Sequence, residues 1–207
     1  TRTFPPGEMR LWTYHCYAHG AEAVVYFRWR ACNFGIEQFH SGILQHDGTD
    51  NSISYRELKQ IGKEMGKIGP EIENAKIVSP VAIIYDYENI WVNLAYQEKP
   101  MYDYPGEILR FYRSIKRLGI NVDMIKSLDD FSNYKVVIAP LLYVMTDELA
   151  KNIKDYVSGG GIFIAGFRCA IKDESSNMLK EVLPGKLRDL FGISIYAWHN
   201  IRDMAVE

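Results

Sequence analysis

The apolar positions of the first 70 residues predict a helix, one strand and a second helix. In the helix at residues 8–19, Met9, Trp12 and Cys16 recur at helical spacing and predict the face that packs inward. The run AEAVVYFRWR at residues 21–30 is almost continuously apolar, which is typical of a strand covered on both faces. A single strand of this kind cannot form a domain by itself, because it needs neighbouring strands.

The start of the second helix is predicted by a capping signal. Ser54 and Glu57 have the spacing of a capping box, in which a serine and a glutamate satisfy the first backbone N–H groups of a helix. Gly69 and Pro70 are the expected stop signals. Between the two signals the apolar residues recur every three or four positions: Tyr55, Leu58, Ile61, Met65 and Ile68.

From residue 76 the pattern changes to short apolar strands that alternate with helices. The predicted strands are IVSPVAIIYD, NVDMIK, KVVIAP and GIFIAG, and the predicted helices cover residues 105–118, 146–157 and 184–191. Thr146 followed by two acids is a good helix N-cap. This alternation predicts a flavodoxin-like three-layer α/β domain with a parallel sheet. We place the boundary near residues 69–74, which gives regions 1–72 and 73–207.

Two further features of this second region concern its ends and its first strand. Flavodoxin-like sheets usually carry five strands, so we expect that a closing strand is absent and the domain is truncated. Residues 86–91 are predicted to end the first strand, at the edge where such folds bind ligands. The aromatic residues around this edge suit an interface, with aromatic sugar binding or plain core packing as the alternatives: Tyr85, Tyr87, Trp91, Tyr96, Tyr102 and Tyr104.

Composition narrows the classes of partner. The 207 residues are 47% hydrophobic and 24% charged with a net charge of -2, so nothing favours nucleic acid or an anionic membrane surface. No apolar run approaches the roughly 20 residues that span a bilayer. We therefore expect a soluble, cytoplasmic protein without nucleic-acid or membrane partners.

The cysteines and glycines do not predict a metal, a cofactor or a second chemistry. Cys16, Cys32 and Cys169 are too far apart for a metal motif or a disulfide framework. The glycine run at residues 159–161 precedes a strand, whereas a nucleotide-binding loop opens a helix. Cys169 follows a predicted strand and His199 lies downstream, which leaves a cysteine nucleophile as a weak alternative to a structural thiol.

The polar residues after the first strand are the candidate site. Tyr26, Arg28 and Arg30 alternate along one face of the strand, and Glu37 and His40 are three residues apart in the loop that follows. A carboxylate and an imidazole beside an aromatic ring can bind adjacent sugar hydroxyls. The alternative is a solvated loop in which an Arg–Glu pair ties the loop to the scaffold.

The run PPGEMRLWTYHCYAHGAEAVVYFRWRACNFGIEQFHSGILQHDG resembles the last barrel segment of the family 42 glycoside hydrolases, which are β-galactosidases. The matching motifs occur in order: Pro5-Pro6-Gly7, Arg10-Leu11-Trp12, Ala18-His19-Gly20-Ala21, Phe27-Arg28-Trp29-Arg30 and Glu37-Gln38-Phe39-His40. The later segments VAIIYDYENIW, YKVVIAPLLYVM and YVSGGGIFI resemble the second domain of that family, which has a glutamine-amidotransferase-like fold and is associated with trimerisation.

The resemblance implies a fold and a function. Residues 1–72 would be the seventh helix, eighth strand and eighth helix of a (β/α)8 barrel, and residues 73–207 a trimerisation domain of class I glutamine-amidotransferase-like fold. The parent would be a retaining β-galactosidase that hydrolyses terminal non-reducing β-D-galactose residues as a homotrimer, without a cofactor. Glu37 and His40 match positions that contact the galactose, whereas Arg28 and Arg30 carry over no sugar contact and are interpreted as scaffold.

The resemblance also implies that catalysis needs residues outside this chain. Retaining glycosidases use two carboxyl groups about 5 to 5.5 Å apart, and in this family both glutamates would precede Thr1. Glu8 and Glu22 fit neither role, because they lie in a helix and at the bottom of the barrel. We therefore expect a fragment that is inactive alone and exposes Val24, Val25, Tyr26, Phe27 and Trp29. The alternative function is a non-catalytic assembly module of amidotransferase-like fold.

Overall fold

A computed structural model describes residues 4–95 and 103–198. The chain divides into two compact units, Thr1–Ile77 and Val78–Glu207. The division lies a few residues after the boundary that we placed near residues 69–74. Two of the aromatic residues named above, Tyr96 and Tyr102, lie outside the described residues, as does His199.

The first unit is built on two helices, α1 (Glu8–Ala18) and α2 (Ile53–Ile72), with a short 3-10 turn at Ile36–Phe39 between them. Met9, Ile43 and Ile61 form its small buried cluster. The inward face of α1 differs from the predicted stripe: Met9 and Thr13 are buried, whereas Trp12 and Cys16 are exposed. Thr13 can be buried because its hydroxyl donates to the Met9 carbonyl at 2.8 Å and also meets the Tyr26 hydroxyl.

The strand predicted at residues 21–30 does not form, so that prediction is wrong for this chain. Its backbone is extended, but it has only a bridge between Arg30 and Leu44. Within residues 4–77, the described part of the first unit has no strand to pair with it, and a strand exists only through such pairing. Its side chains still alternate: Tyr26 and Arg28 are half-buried. Val25, Phe27 and Trp29 are 91%, 75% and 61% exposed, as expected, whereas Val24 and Tyr26, which we also expected to be exposed, are half-buried.

The cap of α2 also differs from the prediction. Ser52 is the N-cap: its Oγ accepts from the Tyr55 N–H at 2.9 Å and donates to the Ile43 carbonyl at 2.5 Å. Glu57 instead accepts from the backbone N–H groups of Gly7 and Arg10, so it caps α1. α2 continues through Pro70 to Ile72. The predicted capping box is therefore replaced by one cap from the preceding loop and one cross-helix cap.

The second unit confirms the predicted α/β class with a parallel sheet. Its four strands are ordered β2-β1-β3-β4 and every pairing is parallel. The elements in chain order are β1 (Val81–Ile84), α3 (Tyr87–Ala95), α4 (Tyr104–Arg117), β2 (Val122–Ile125), β3 (Val136–Ala139), α5 (Asp147–Ser158), β4 (Ile162–Ala165), a 3-10 turn (Gly185–Leu187) and α6 (Arg188–Phe191).

Helices cover the two faces of the central strands. Ala82 and Ile84 of β1 face a cluster that includes Ile153 of α5, whereas Val81 and Ile83 face a second cluster that includes Ile108 of α4. This alternation is the period of two that an extended strand imposes. All four residues of β1 are buried, so the near-continuous apolar run of the sequence is explained by a strand covered on both faces.

β4 is covered on one face only. Phe163 and Ala165 pack against the α5-side cluster, whereas Ile162 and Ile164 are exposed on the face that α4 covers elsewhere in the sheet. A three-layer domain has helices on both faces of its sheet, so the exposed face of β4 departs from the predicted architecture. The described residues therefore leave one apolar patch at the β4 edge.

Residues 86–91 do not end the first strand, which is a correction to our prediction. β1 stops at Ile84 and α3 begins at Tyr87. Buried polar contacts fix the start of this helix: the Asp86 carboxylate accepts from the Ser127 N–H at 3.1 Å, and the Asn89 Oδ1 accepts from the Val144 N–H at 3.2 Å. The apolar residues of α3 therefore have two environments. Ile90 and Val92 pack against the core, whereas Tyr87 and Trp91 are exposed.

Candidate functional site

An ion pair joins the segment at residues 21–30 to the 3-10 turn at Ile36–Phe39. The Arg28 Nη1 donates to the Glu37 Oε2 at 2.8 Å, with the Arg28 and Glu37 side chains 27% and 47% exposed. Arg28 is held by its backbone, because its carbonyl accepts from the Ile43 N–H at 2.9 Å. Gly35, at φ +76°, precedes the turn in a backbone conformation that other residues rarely adopt. The structure thus brings together two of the residues that the sequence singled out.

His40 lies at the end of the same turn, and its N–H donates to the Glu37 carbonyl at 2.9 Å. Its side chain is exposed and lines a cavity of about 330 Å³. Glu37 does not line this cavity. The other lining residues are mostly polar: Ala31, Phe39, Ser41, Gly42, Gln45, His46, Asn51, Ser52, Ile53 and Ser54. Glu37 and His40 therefore share a turn, but in this chain they face different surroundings.

Arg30 is two residues after Arg28, but it makes different contacts. Its Nη2 donates to the His46 carbonyl at 3.0 Å, and a Cβ at Gly48 would lie 3.2 Å from the guanidinium carbon. His46 in turn contacts the Gln38 carbonyl through Nε2 at 2.8 Å. Arg30 therefore holds the turn at residues 45–49, which in turn supports the 3-10 turn. The His46 contact was not predictable from the sequence, because it depends on the path of that loop.

Exposed apolar side chains surround the ion pair. Phe27 and Trp29 flank Arg28 in sequence, and the 3-10 turn adds Ile36 and Phe39, all exposed. The Arg28 guanidinium carbon lies 5.5 Å from the centroid of the Phe27 ring. Aromatic faces pack well against apolar C–H groups and against cations. From the sequence we expected Phe27 and Trp29 to be exposed but assigned no role to Ile36 or Phe39, although apolar residues in an otherwise polar loop are a signal that could have revealed them.

Glu8 and Glu22 are too far apart to form a catalytic pair with each other. Glu8 starts α1 and Glu22 follows the end of the same helix. An 11-residue helix is about 16 Å long, far more than the 5 to 5.5 Å between the carboxyl groups of a retaining glycosidase. Glu22 instead borders a groove between the C-terminal halves of α1 and α2.

Burial raises the pKa of two groups in the second unit, Cys169 and Tyr104. Cys169 is 4% exposed, and burial raises the pKa of its thiol to about 12, so it lacks the thiolate that a nucleophile needs. The Tyr104 hydroxyl accepts from the Asp86 N–H at 3.1 Å, and burial raises the pKa of Tyr104 to about 12. The glycine run at residues 159–161 closes α5, and the Gly159 N–H donates to the Asp155 carbonyl. The burial of Cys169 favours a structural thiol over a cysteine nucleophile.

Residues 4–95 and 103–198 contain neither a cluster of metal ligands nor a membrane-spanning helix. No group of three or more His, Cys, Asp or Glu residues in these ranges is placed to hold a metal ion. None of the helices described there has the length and apolar character needed to cross a membrane.

Both units match models of one protein family. Residues 2–68 match the β-galactosidase model of glycoside hydrolase family 42, and residues 79–206 match the β-galactosidase trimerisation domain. These matches define the class of protein, a glycoside hydrolase. The chain belongs to the family 42 β-galactosidases.

Individual relatives and solved structures agree with this assignment. The chain is 37% identical to the β-galactosidase LacZ of Heyndrickxia coagulans over 98% of its own length and 30% of the relative. It superimposes on the β-galactosidase of Bacillus circulans with a TM-score of 0.83 at 34% identity, covering 89% of this chain and 27% of that one. It superimposes on the β-galactosidase of Halorubrum lacusprofundi with a TM-score of 0.81 at 36% identity, covering 90% of this chain and 27% of that one. The chain therefore spans less than a third of the length of these relatives.

Proposed function

We propose that this chain forms part of the galactose subsite of a retaining β-galactosidase that hydrolyses terminal non-reducing β-D-galactose residues. The observation that carries the proposal is the Glu37 carboxylate, held by Arg28 at 2.8 Å on the turn that also ends in His40. Membership of the β-galactosidase family supports a galactoside as the substrate. The chain contributes sugar-binding residues and no catalytic pair.

Each residue of the subsite has a chemical role. The ionised Glu37 carboxylate accepts hydrogen bonds from sugar hydroxyls, and the His40 ring can donate to or accept from a neighbouring hydroxyl. The exposed ring of Trp29 offers a surface for the C–H face of the sugar. A site built from such groups discriminates strongly, because a sugar that lacks a matching hydroxyl leaves polar groups unpaired.

The second unit forms the oligomerisation domain of a cytoplasmic homotrimer. The match of residues 79–206 to a trimerisation domain supports this role. A further support is α3, whose Tyr87, Trp91 and Leu94 recur at helical spacing and are all exposed. An apolar face of this kind is typical of a subunit interface.

Kinetics of site variants in the intact β-galactosidase that carries this chain test the sugar-binding proposal. Glu37→Ala and His40→Ala are each expected to weaken transition-state stabilisation by roughly 2 to 4 kcal/mol, because a hydroxyl-recognising site loses hydrogen bonds. Gln38→Ala is the matched control, since this exposed residue lies between the two on the same turn. Unchanged kcat/KM in both site variants would reject the assignment.

A separate assay tests whether the chain can act alone. Purified residues 1–207 are expected not to hydrolyse galactosides, because Glu8 and Glu22 are separated by the length of α1. Hydrolysis that disappears in Glu8→Gln or Glu22→Gln would contradict this expectation. Hydrolysis that persists in both variants would come from a contaminating enzyme. Such an activity would elute apart from the chain in chromatography.

A non-catalytic assembly module is the second candidate. The observation that favours it is the self-contained core of the second unit, in which β1 is buried on both faces. An assembly module does not need Glu37 or His40, whereas a sugar subsite does. The kinetics of the Glu37 and His40 variants therefore decide between the two functions.

A further inference from the structure

Among the described residues, one oxygen of the Glu37 carboxylate is hydrogen-bonded and the other is not. Oε2 accepts from Arg28, whereas Oε1 has no hydrogen-bond partner among the residues that the structure describes. The side chain is about half exposed, so the uncommitted oxygen is accessible to a ligand. A carboxylate held by one oxygen and open at the other is suited to accept a hydroxyl hydrogen bond from a fixed direction.

We propose that Arg28 is a positioning residue that orients Glu37 for the sugar. This inference rests on the proposed sugar-binding role of Glu37 and extends it to a residue for which the resemblance implied only scaffolding. Arg28 does not itself contact the sugar. It fixes one carboxylate oxygen so that the other is presented to a hydroxyl group.

The surroundings of Glu37 explain why it needs such a partner. It lies in a four-residue 3-10 turn that contains no buried residue, so packing does not fix its rotamer. A glutamate side chain loses rotamer entropy when it is ordered. A charge-assisted hydrogen bond to a fixed donor offsets this cost before the ligand binds.

Arg28 is itself well fixed. Its backbone is tied to the Ile43 N–H at 2.9 Å, and its guanidinium lies 5.5 Å from the Phe27 ring centroid. The planar guanidinium presents donors in a fixed fork, which is the geometry that a carboxylate requires. The donor is therefore preorganised independently of Glu37.

Arg30 provides an internal comparison, because it is the same residue type two positions along the segment. Its guanidinium donates to a backbone carbonyl, that of His46, and packs against Gly48. Removing Arg30 therefore loosens a loop, whereas removing Arg28 releases a carboxylate. The two arginines are matched in type and location and differ in the group that they hold.

The test is a pair of double-mutant cycles in the intact β-galactosidase that carries this chain. Arg28→Met and Arg30→Met are each combined with Glu37→Gln, and kcat and KM are measured with a nitrophenyl β-D-galactoside. We expect Arg28→Met to lower kcat/KM by roughly tenfold or more, the size of a charged hydrogen bond. In the Glu37→Gln background the same change should have little further effect. Arg30→Met should combine additively with Glu37→Gln.

A conservative variant and a stability measurement separate positioning from scaffolding. Arg28→Gln keeps an N–H donor and should recover part of the kcat/KM that Arg28→Met loses. The melting temperatures of the two Arg28 variants should be alike, so a loss of activity that tracks the melting temperature would overturn the positioning role.

The outcomes distinguish this inference from the function on which it rests. If Glu37→Gln leaves kcat/KM unchanged, the sugar-binding proposal fails and the positioning role fails with it. If Glu37→Gln lowers kcat/KM while Arg28→Met has no effect, or acts equally in both backgrounds, only the positioning role is overturned.

Discussion

Similar apolar sequences are buried in the second unit and exposed in the first. In the second unit the run around Val81–Ile84 becomes β1, paired on both sides and buried on both faces. In the first unit the run AEAVVYFRWR makes a single bridge among the described residues, between Arg30 and Leu44, and exposes Val25, Phe27 and Trp29. The same kind of sequence pattern therefore gives a core strand in one place and an apolar surface in the other.

The comparison shows that a strand is a property of a sheet. An apolar run specifies which residues prefer burial, but ladder hydrogen bonds and covering helices must come from other segments. The second unit supplies them from β2, β3, α4 and α5. The described part of the first unit supplies one covered face, through Tyr26 and the cluster of Met9, Ile43 and Ile61.

The largest expected effect contrasts one residue from each run. Ile83→Ala in β1 removes a fully buried side chain and should lower the free energy of unfolding by about 2 to 5 kcal/mol. Val25→Ala should change it by no more than about 0.5 kcal/mol, because Val25 is exposed. Urea denaturation followed by circular dichroism measures both. A comparable loss for Val25→Ala would mean that this residue is packed.

A second prediction sharpens the comparison at the level of assembly. Trp91→Glu on α3 should weaken self-association of the chain by roughly thirtyfold or more, since central aromatic residues contribute about 2 kcal/mol or more to interfaces. Trp12→Glu on α1 is the matched control, because Trp12 and Trp91 are 57% and 60% exposed. Sedimentation equilibrium measures the association constants.

The possible outcomes of the association experiment are distinct. A wild-type chain that stays monomeric at micromolar concentration would contradict the oligomerisation role. A Trp91→Glu chain that associates as the wild type does would show that another surface, such as the exposed face of β4, forms the interface.

Helix caps give a smaller and more even comparison. Thr146→Ala removes the bond from the Leu149 N–H at the start of α5 and should cost about 1 kcal/mol. Ser52→Ala removes the α2 cap and also the bond to the Ile43 carbonyl, so it should cost more, up to about 2 kcal/mol. Thermal melts of the two variants give the ranking. A smaller loss at Ser52 would show that α2 is held mainly by other contacts.

The smallest predicted effect is a dependence of the stability of α1 on pH. Hydrogen bonds from Arg10, Gln60 and Tyr14 lower the pKa of Glu64 to about 2. Because the folded pKa lies below the ordinary value of 4.5, the stabilisation is complete above about pH 4.5 and is lost as the pH falls toward 2. The protection of the α1 amides, taken relative to the intrinsic exchange rate at each pH, should fall as the pH is lowered over this range.

Glu64→Gln is the control for this pH dependence, because it keeps the hydrogen-bonding shape and removes the titration. Its α1 amides should show no change in protection between pH 4.5 and 2 beyond that of the rest of the chain. An equal change in the two proteins would assign the pH dependence to another carboxylate.

Much of the second unit was predictable because its signals are local and agree with its tertiary contacts. Thr146 caps α5 as predicted, and four strands occupy the four apolar runs. α3 was not predicted, since its apolar residues continue the run of β1. Its start depends on Asn89 and Asp86 contacts to residues 55 and 41 positions away.

The first unit and its site were predicted less completely. The spacing of Arg28, Glu37 and His40 revealed the candidate residues, but their separate surroundings depend on the loop at residues 45–49. Glu57 was predicted to cap α2, but its carboxylate caps α1. In both cases the residue type was readable from the sequence, whereas its partner was chosen by the packing of two helices.

The central claim is that this chain belongs to a longer galactoside-hydrolysing polypeptide in which Glu37 binds the sugar. The most direct measurement is the mass and activity of the native polypeptide, isolated from source cells with an antibody against the second unit. We predict a polypeptide well above the 23.9 kDa of this chain that hydrolyses β-galactosides. A native polypeptide of 23.9 kDa without this activity would contradict the claim and favour the assembly module.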